Sequence, residues 1–319
     1  KETDKSAEIL SKVMAKSDEA TISSVINNIT EKNTNEESKL SLKVMADFSE
    51  KNPEKLENLN QNNSEQIEKL TISAVEKAAS SEEDADLIAK VVAVASDELV
   101  NKVVEEVNKN STDENEALSA KVLKSIVSTN PDKIEKLSNE NKETMIKQTI
   151  DAAKNQNENK DDDNDDLADV IADIIVDADA GTSGKLIQEL DKTELEEDSD
   201  LNLSILEKLS NKDLFEEKLE IISIRSQLND VSVENFISKS IKDVENSERL
   251  EKIISIVEKS ESIVIDKIVK VGQDSEEGKN KVIKIITKVI EKNPEKAVEI
   301  FEKNKNKKEL SKTIKTKIE

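Results

Sequence analysis

The chain has 319 residues, of which 34% are apolar, 1% aromatic and 37% charged, with a formal net charge of −23. A wide globular core draws volume from large rings, so a core this poor in Phe, Tyr and Trp must be thin and aliphatic. Four Gly, three Pro and no Cys exclude a turn-rich β fold, a Gly-rich phosphate loop, a disulfide framework and any thiolate chemistry.

In chain order, Ile9, Leu10, Val13 and Met14 form the first helical stripe. Ile22, Val25, Ile26 and Ile29 form the second, Leu40, Val44, Met45 and Phe48 the third, and Ile67, Leu70, Ala74 and Val75 the next. Ser17-Asp18, Ser64, Ser96-Asp97 and Thr112-Asp113 supply side-chain oxygens where first-turn N–H groups lack partners. Pro53, Pro131 and Pro294 suit the first helical position, where a missing N–H costs little.

The stripes recur. At an offset of 78 residues, Lys12-Val13-Met14-Ala15 falls on Lys90-Val91-Val92-Ala93, and Ile22, Val25, Ile26 and Ile29 fall on Val100, Val103, Val104 and Val107. Leu40, Lys43 and Val44 recur as Leu118, Lys121 and Val122, and Asn52-Pro53 with Lys55 recurs as Asn130-Pro131 with Lys133. A weaker third copy places Ile171, Ile174 and Ile175 on Ile88, Val91 and Val92, at an offset of 83. The fourth is clearest where Lys284-Ile285-Ile286 leads to Asn293-Pro294-Glu295-Lys296, repeating Lys43-Val44-Met45 and Asn52-Pro53-Glu54-Lys55.

These matches predict an all-α fold of tandem helical hairpins stacked as an elongated α-solenoid, with about four units of roughly 80 residues. The units expected are 1–78, 79–156, a divergent acidic repeat at 157–240, and 241–319 with a basic C-terminal end. Short amphipathic helices cannot bury their stripes alone, and stacking hairpin on hairpin buries them. The consensus residues of TPR and ankyrin repeats are missing, so the likeness to known solenoids is architectural and names no family. No heptad persists long enough for a coiled coil.

Chemistry has little to work with. Without His or Cys no Ser-His-Asp or Cys-His triad forms, and no imidazole serves as a base near neutral pH. With 71 Asp and Glu, neighbouring carboxylates are inevitable and say nothing of catalysis. No catalytic residue, cofactor site or small-molecule substrate is therefore expected, and the chain is not read as an enzyme. Gly181-Thr182-Ser183-Gly184 lacks the Gly-Lys-Ser/Thr ending of a phosphate loop and reads as a hairpin turn.

Asp161, Asp163 and Asp165 are the candidate Ca²⁺ ligands, hard oxygens within an acidic run. Counted from Asp161, the sixth residue of an EF-hand loop is Asp166 where Gly is needed, and the twelfth is Ala172 where Glu is needed. The preferred reading of residues 154–166 is an exposed linker whose last carboxylates favour the N-terminus of a helix from Leu167. Glu158–Asp200 holds 17 acidic and 3 basic residues, whereas Lys279–Glu319 holds 13 Lys against 6 Glu.

The function expected is a non-catalytic structural or scaffold protein that binds other proteins, including copies of itself in an ordered assembly. The alternative is an acidic nucleic-acid mimic, or a nucleic-acid-associated protein acting through its basic C-terminal tail. Nucleic acid is the weaker partner, because the overall charge opposes phosphate contacts. No apolar run approaches the ~18 residues of a membrane span. The chain opens on Lys1, and the sequence assigns no compartment.

Overall fold

The structure is a computed structural model, and it describes residues 2–31, 37–55, 64–76, 81–111, 117–159, 165–192, 201–213, 215–225, 230–241, 244–260, 263–274 and 276–296, with 298 and 300. All regular structure among them is helical, and no strand occurs. The helices divide between two compact units. Unit 1 is Lys1–Ala153 with Asp177–Asp179, and unit 2 is Lys154–Val176 with Ala180–Glu319.

Unit 1 contains α1 (Glu2–Lys16), α2 (Glu19–Glu31), α3 (Glu37–Lys51), α4 (Ser64–Val75), α5 (Glu82–Val94), α6 (Asp97–Asn110), α7 (Leu118–Thr129), the single turn α8 (Asp132–Glu135) and most of α9 (Asn139–Asn159). Capping sets several starts. The Asp18 carboxylate accepts from Thr21 N–H at 2.8 Å, ahead of α2. Ser81 accepts from Asp84 N–H at the start of α5, and Ser96 from Leu99 N–H at the start of α6. Ser17, the other half of the first predicted pair, instead donates its hydroxyl back to the Val13 carbonyl.

Alternate helices pack together. α1, α3, α5 and α7 follow one another in contact, and α2, α4 and α6 form a second series. Asn141 of α9 extends the second series, donating to the Asn101 carbonyl of α6 at 2.9 Å. Residues about 40 positions apart therefore face one another: Lys43 with Asp4, Lys90 with Glu50, Ser125 with Asp86. The interior is aliphatic, and Ile88, Val91, Val92, Val100, Val103, Val104 and Val107 are all fully buried.

Unit 2 contains α10 (Asp165–Asp177, all but its last residue), α11 (Ala180–Lys192), α12 (Leu201–Ser210), α13 (Phe215–Arg225), α14 (Asp230–Ser240), α15 (Ser247–Lys259), α16 (Ile263–Asp274) and α17 (Glu276–Lys292). Here α12, α15 and α17 pack in succession, as do α11, α14 and α16, with α13 against α11, α14 and α16. Two rings, Phe215 and Phe236, join an otherwise aliphatic core.

Two local expectations change. Gly181-Thr182-Ser183-Gly184 is not a turn between helices but the first turn of α11. Thr182, Ser183 and Gly184 are buried, and Ser183 donates to the Ile175 carbonyl of α10 at 2.9 Å. Small side chains suit this buried first turn, and burial explains the composition better than turn chemistry does. The second change concerns the linker: α9 stays helical to Asn159, through the first part of the stretch read as exposed chain.

Candidate functional site

Asp161 and Asp163, the first two candidate Ca²⁺ ligands, lie outside the described residues. Asp165 is the first residue of α10, and its side chain is likewise outside what is described. Among the described residues no cluster of three or more acidic side chains has the arrangement to hold a metal ion. The carboxylates that do converge in unit 2 converge on a lysine. Lys212, just past α12, lies 2.6 Å from Asp173 and 2.9 Å from Asp169 of α10. Partial burial pulls the Lys212 ammonium down, but the two carboxylates outweigh it and hold the group above its ordinary range.

The most structured polar features are those that join neighbouring helices. In unit 1, Lys43 of α3 is half-buried and bridges Asp4 of α1 at 2.6 Å and Glu83 of α5 at 2.8 Å. Hydrogen bonds to these two carboxylates raise the Lys43 ammonium above its usual value, and the Lys43 contact lowers Asp4. An open groove of about 230 Å³ runs beside this bridge, lined by side chains of α1, α3 and α5. Its walls hold charges of both signs, including Asp4, Glu50, Glu83 and Lys90. Asp47, also in the groove, is partly buried, which alone would raise its carboxyl. The ion pair with Lys51 and the nearby Ser11 hydroxyl more than offset this, and the group titrates below its ordinary value.

The Asn-Pro-Xaa-Lys sequence proves to be a clamp between helices. Lys133 donates to the Ala95 carbonyl at 2.6 Å and Asn130 to the Ala93 carbonyl at 3.0 Å, both at the C-terminal end of α5. Lys55, its equivalent 78 residues earlier, donates to the Ala15 carbonyl in the last turn of α1. The last four carbonyls of a helix have no partner within it, and a cation there also suits the helix dipole. The sequence marked these positions as repeat punctuation without showing what they bind. In unit 2 Lys239 does the same work without the motif, donating to the Asp191 carbonyl near the end of α11.

A polar ladder joins α6, α7 and α9. Ser119 donates to Gln148 Oε1 at 2.7 Å, Gln148 donates to the Asn108 carbonyl at 2.7 Å, and Asn108 donates to the Asn141 carbonyl at 3.1 Å. Its members saturate one another, so it fixes the register of helices rather than presenting reactive groups. Among the described residues no helix is long and apolar enough to cross a membrane. In comparisons with known proteins, the chain matches no family model, no curated protein and no solved structure.

Proposed function

We propose that the chain is a non-catalytic scaffold, a stacked array of helical hairpins forming an α-solenoid whose extended surface holds other proteins and copies of itself. The observation that carries this reading is the clamp between successive hairpins. Lys55 and Lys133 use the same motif to tie one hairpin to the helix end of the previous one. Such a device serves a chain whose task is to keep neighbouring hairpins in register, and stacked hairpins present long surfaces for partners. The polar side chains with defined geometry are spent on these junctions, as with Lys43, Lys212 and the α6–α7–α9 ladder.

The test is direct. Full-length chain is immobilised and exposed to nuclease-treated cell extract, and each retained protein is then purified and titrated against the chain. The scaffold reading expects at least one purified protein to bind saturably at physiological salt, while duplex and single-stranded nucleic acid do not bind. Nucleic acid that binds with a steep loss between low and moderate salt, without any saturable protein partner, would replace it with action through the basic tail.

A further inference from the structure

Ser41, Ser119, Asn202 and Val282 hold equivalent places in the four sequence repeats, at the offsets that align the residues around them. All four are buried, but their surroundings serve them unequally. Val282 needs no partner. The Ser119 hydroxyl donates to Gln148 Oε1 at 2.7 Å and lies 2.7 Å from the Ser111 hydroxyl. Asn202, on the first turn of α12, is 2% exposed, and neither its Nδ2 nor its Oδ1 has a hydrogen-bond partner among the described residues.

The ladder that saturates Ser119 in unit 1 is rebuilt in unit 2 with different chemistry. Asp191 of α11 stands at the place of Asn108 by the 83-residue offset. Lys239 of α14 takes the part of Gln148, since each donates to the backbone carbonyl at that place. Gln148 can hold the carbonyl with its NH₂ and still offer its oxygen to α7, whereas an ammonium only donates. The Asp191 carboxylate is taken up by Lys239 at 3.2 Å and by Asn235 Nδ2 at 3.1 Å. Neither residue therefore returns an acceptor to Asn202. The turn is held instead by its backbone, where Ser240 of α14 donates to the Asn202 carbonyl at 3.0 Å, and by buried Leu201 and Leu203.

We infer that the first turn of α12 is a weak joint built into unit 2, which lifts from α14 ahead of the helices around it. A buried amide without partners penalises the closed form, and opening returns it to water. Packing does not require the amide, because Val282 fills the same place in the last repeat. The two leucines and the Ser240 bond keep the joint closed most of the time, and Asn202 lowers the cost of opening it. Local opening of this kind is a separate event from unfolding of the whole unit. It bares Leu201 and Leu203, so a partner that binds these side chains shifts the joint toward its open form. The joint does not depend on the scaffold reading.

Amide hydrogen exchange on the full chain tests this, read at the Ile205 and Leu206 N–H groups, which bond back to the first turn of α12. They are expected to be less protected than those of Ile253 and Ile254 on α15 in the same unit. Asn202→Val should slow exchange at Ile205 and Leu206 by at least about fivefold and leave Ile253 and Ile254 nearly unchanged. Asn202→Ser combined with Asp191→Asn and Lys239→Gln, which restores the chemistry of the unit 1 ladder, should do the same and serves if the valine variant does not fold. Equal protection on α12 and α15 in the unaltered chain overturns the joint. So does a slowing shared by the whole unit, or exchange at Ile205 and Leu206 that the folded variants leave unchanged.

Discussion

Lys133 and Lys55 hold equivalent places in two sequence repeats, and each closes the end of a helix that belongs to the preceding hairpin. A cation at such an end contributes about 0.3–1 kcal/mol through the helix dipole, and the hydrogen bond adds a comparable amount. Lys133→Met is therefore expected to cost about 1 kcal/mol, seen as a lower urea midpoint, and Lys55→Met about as much. A substitution such as Lys147→Met, on an exposed part of α9, should stay within about 0.5 kcal/mol. The pH response follows from the same charges. Asp47 is held below its ordinary value, so its contribution is present above the unfolded carboxylate pKa and disappears as pH falls through the folded one. Lys43 and Lys212 are raised, so theirs is complete below the unfolded lysine pKa and disappears as pH climbs past the folded value. With no His or Cys, the urea midpoint should hardly move between about pH 6 and 9, falling below about 4 and above about 10.5. A marked drop inside the neutral window would contradict this assignment.

At the level of single helices the sequence was a good guide wherever an aliphatic stripe met a cap. The stripes Ile22–Ile29 and Val100–Val107 lie on α2 and α6, and the caps at Asp18 and Ser96 sit where they were expected. It was a poor guide where a short polar stretch had two uses. Gly181-Thr182-Ser183-Gly184 has the composition of a turn, yet it forms the first, buried turn of α11, where Ser183 donates to the Ile175 carbonyl of α10. Residues 154–159 carry almost no apolar signal, and α9 runs through them all the same. The candidate Ca²⁺ ligands Asp161 and Asp163 lie outside the described residues, and the described acidic pair of α10, Asp169 and Asp173, is taken up by Lys212. Helix burial also separates equivalent residues. Ile88→Ala, in a fully covered position, should cost about 2–5 kcal/mol. Leu10→Ala, its half-buried counterpart on α1, should cost clearly less, and equal losses in urea unfolding would mean that the two helices are covered alike.

Across the molecule, the 78-residue repeat read from the sequence spans two packing steps of about 40 residues. The half-step is invisible in the sequence because adjacent hairpins differ: α3 ends in Asn52-Pro53, and α1 ends in Ser17-Asp18. Only every second hairpin looks alike, although α1, α3, α5 and α7 pack in one continuous series. The central claim is this alternate-helix packing, and one measurement addresses it most directly. Asp86, exposed, and Ser125, half-buried, lie 39 positions apart on α5 and α7, with their side-chain oxygens 2.7 Å apart. In the Cys-free chain, Asp86→Cys with Ser125→Cys should form a bridge within one molecule, nearly complete under mild oxidation and visible as a faster-migrating monomer. Asp47→Cys with Ser125→Cys, 78 positions apart at equivalent places in the two repeats, should remain reduced under the same conditions. A reduced 86/125 pair beside a bridged 47/125 pair would contradict the packing described here.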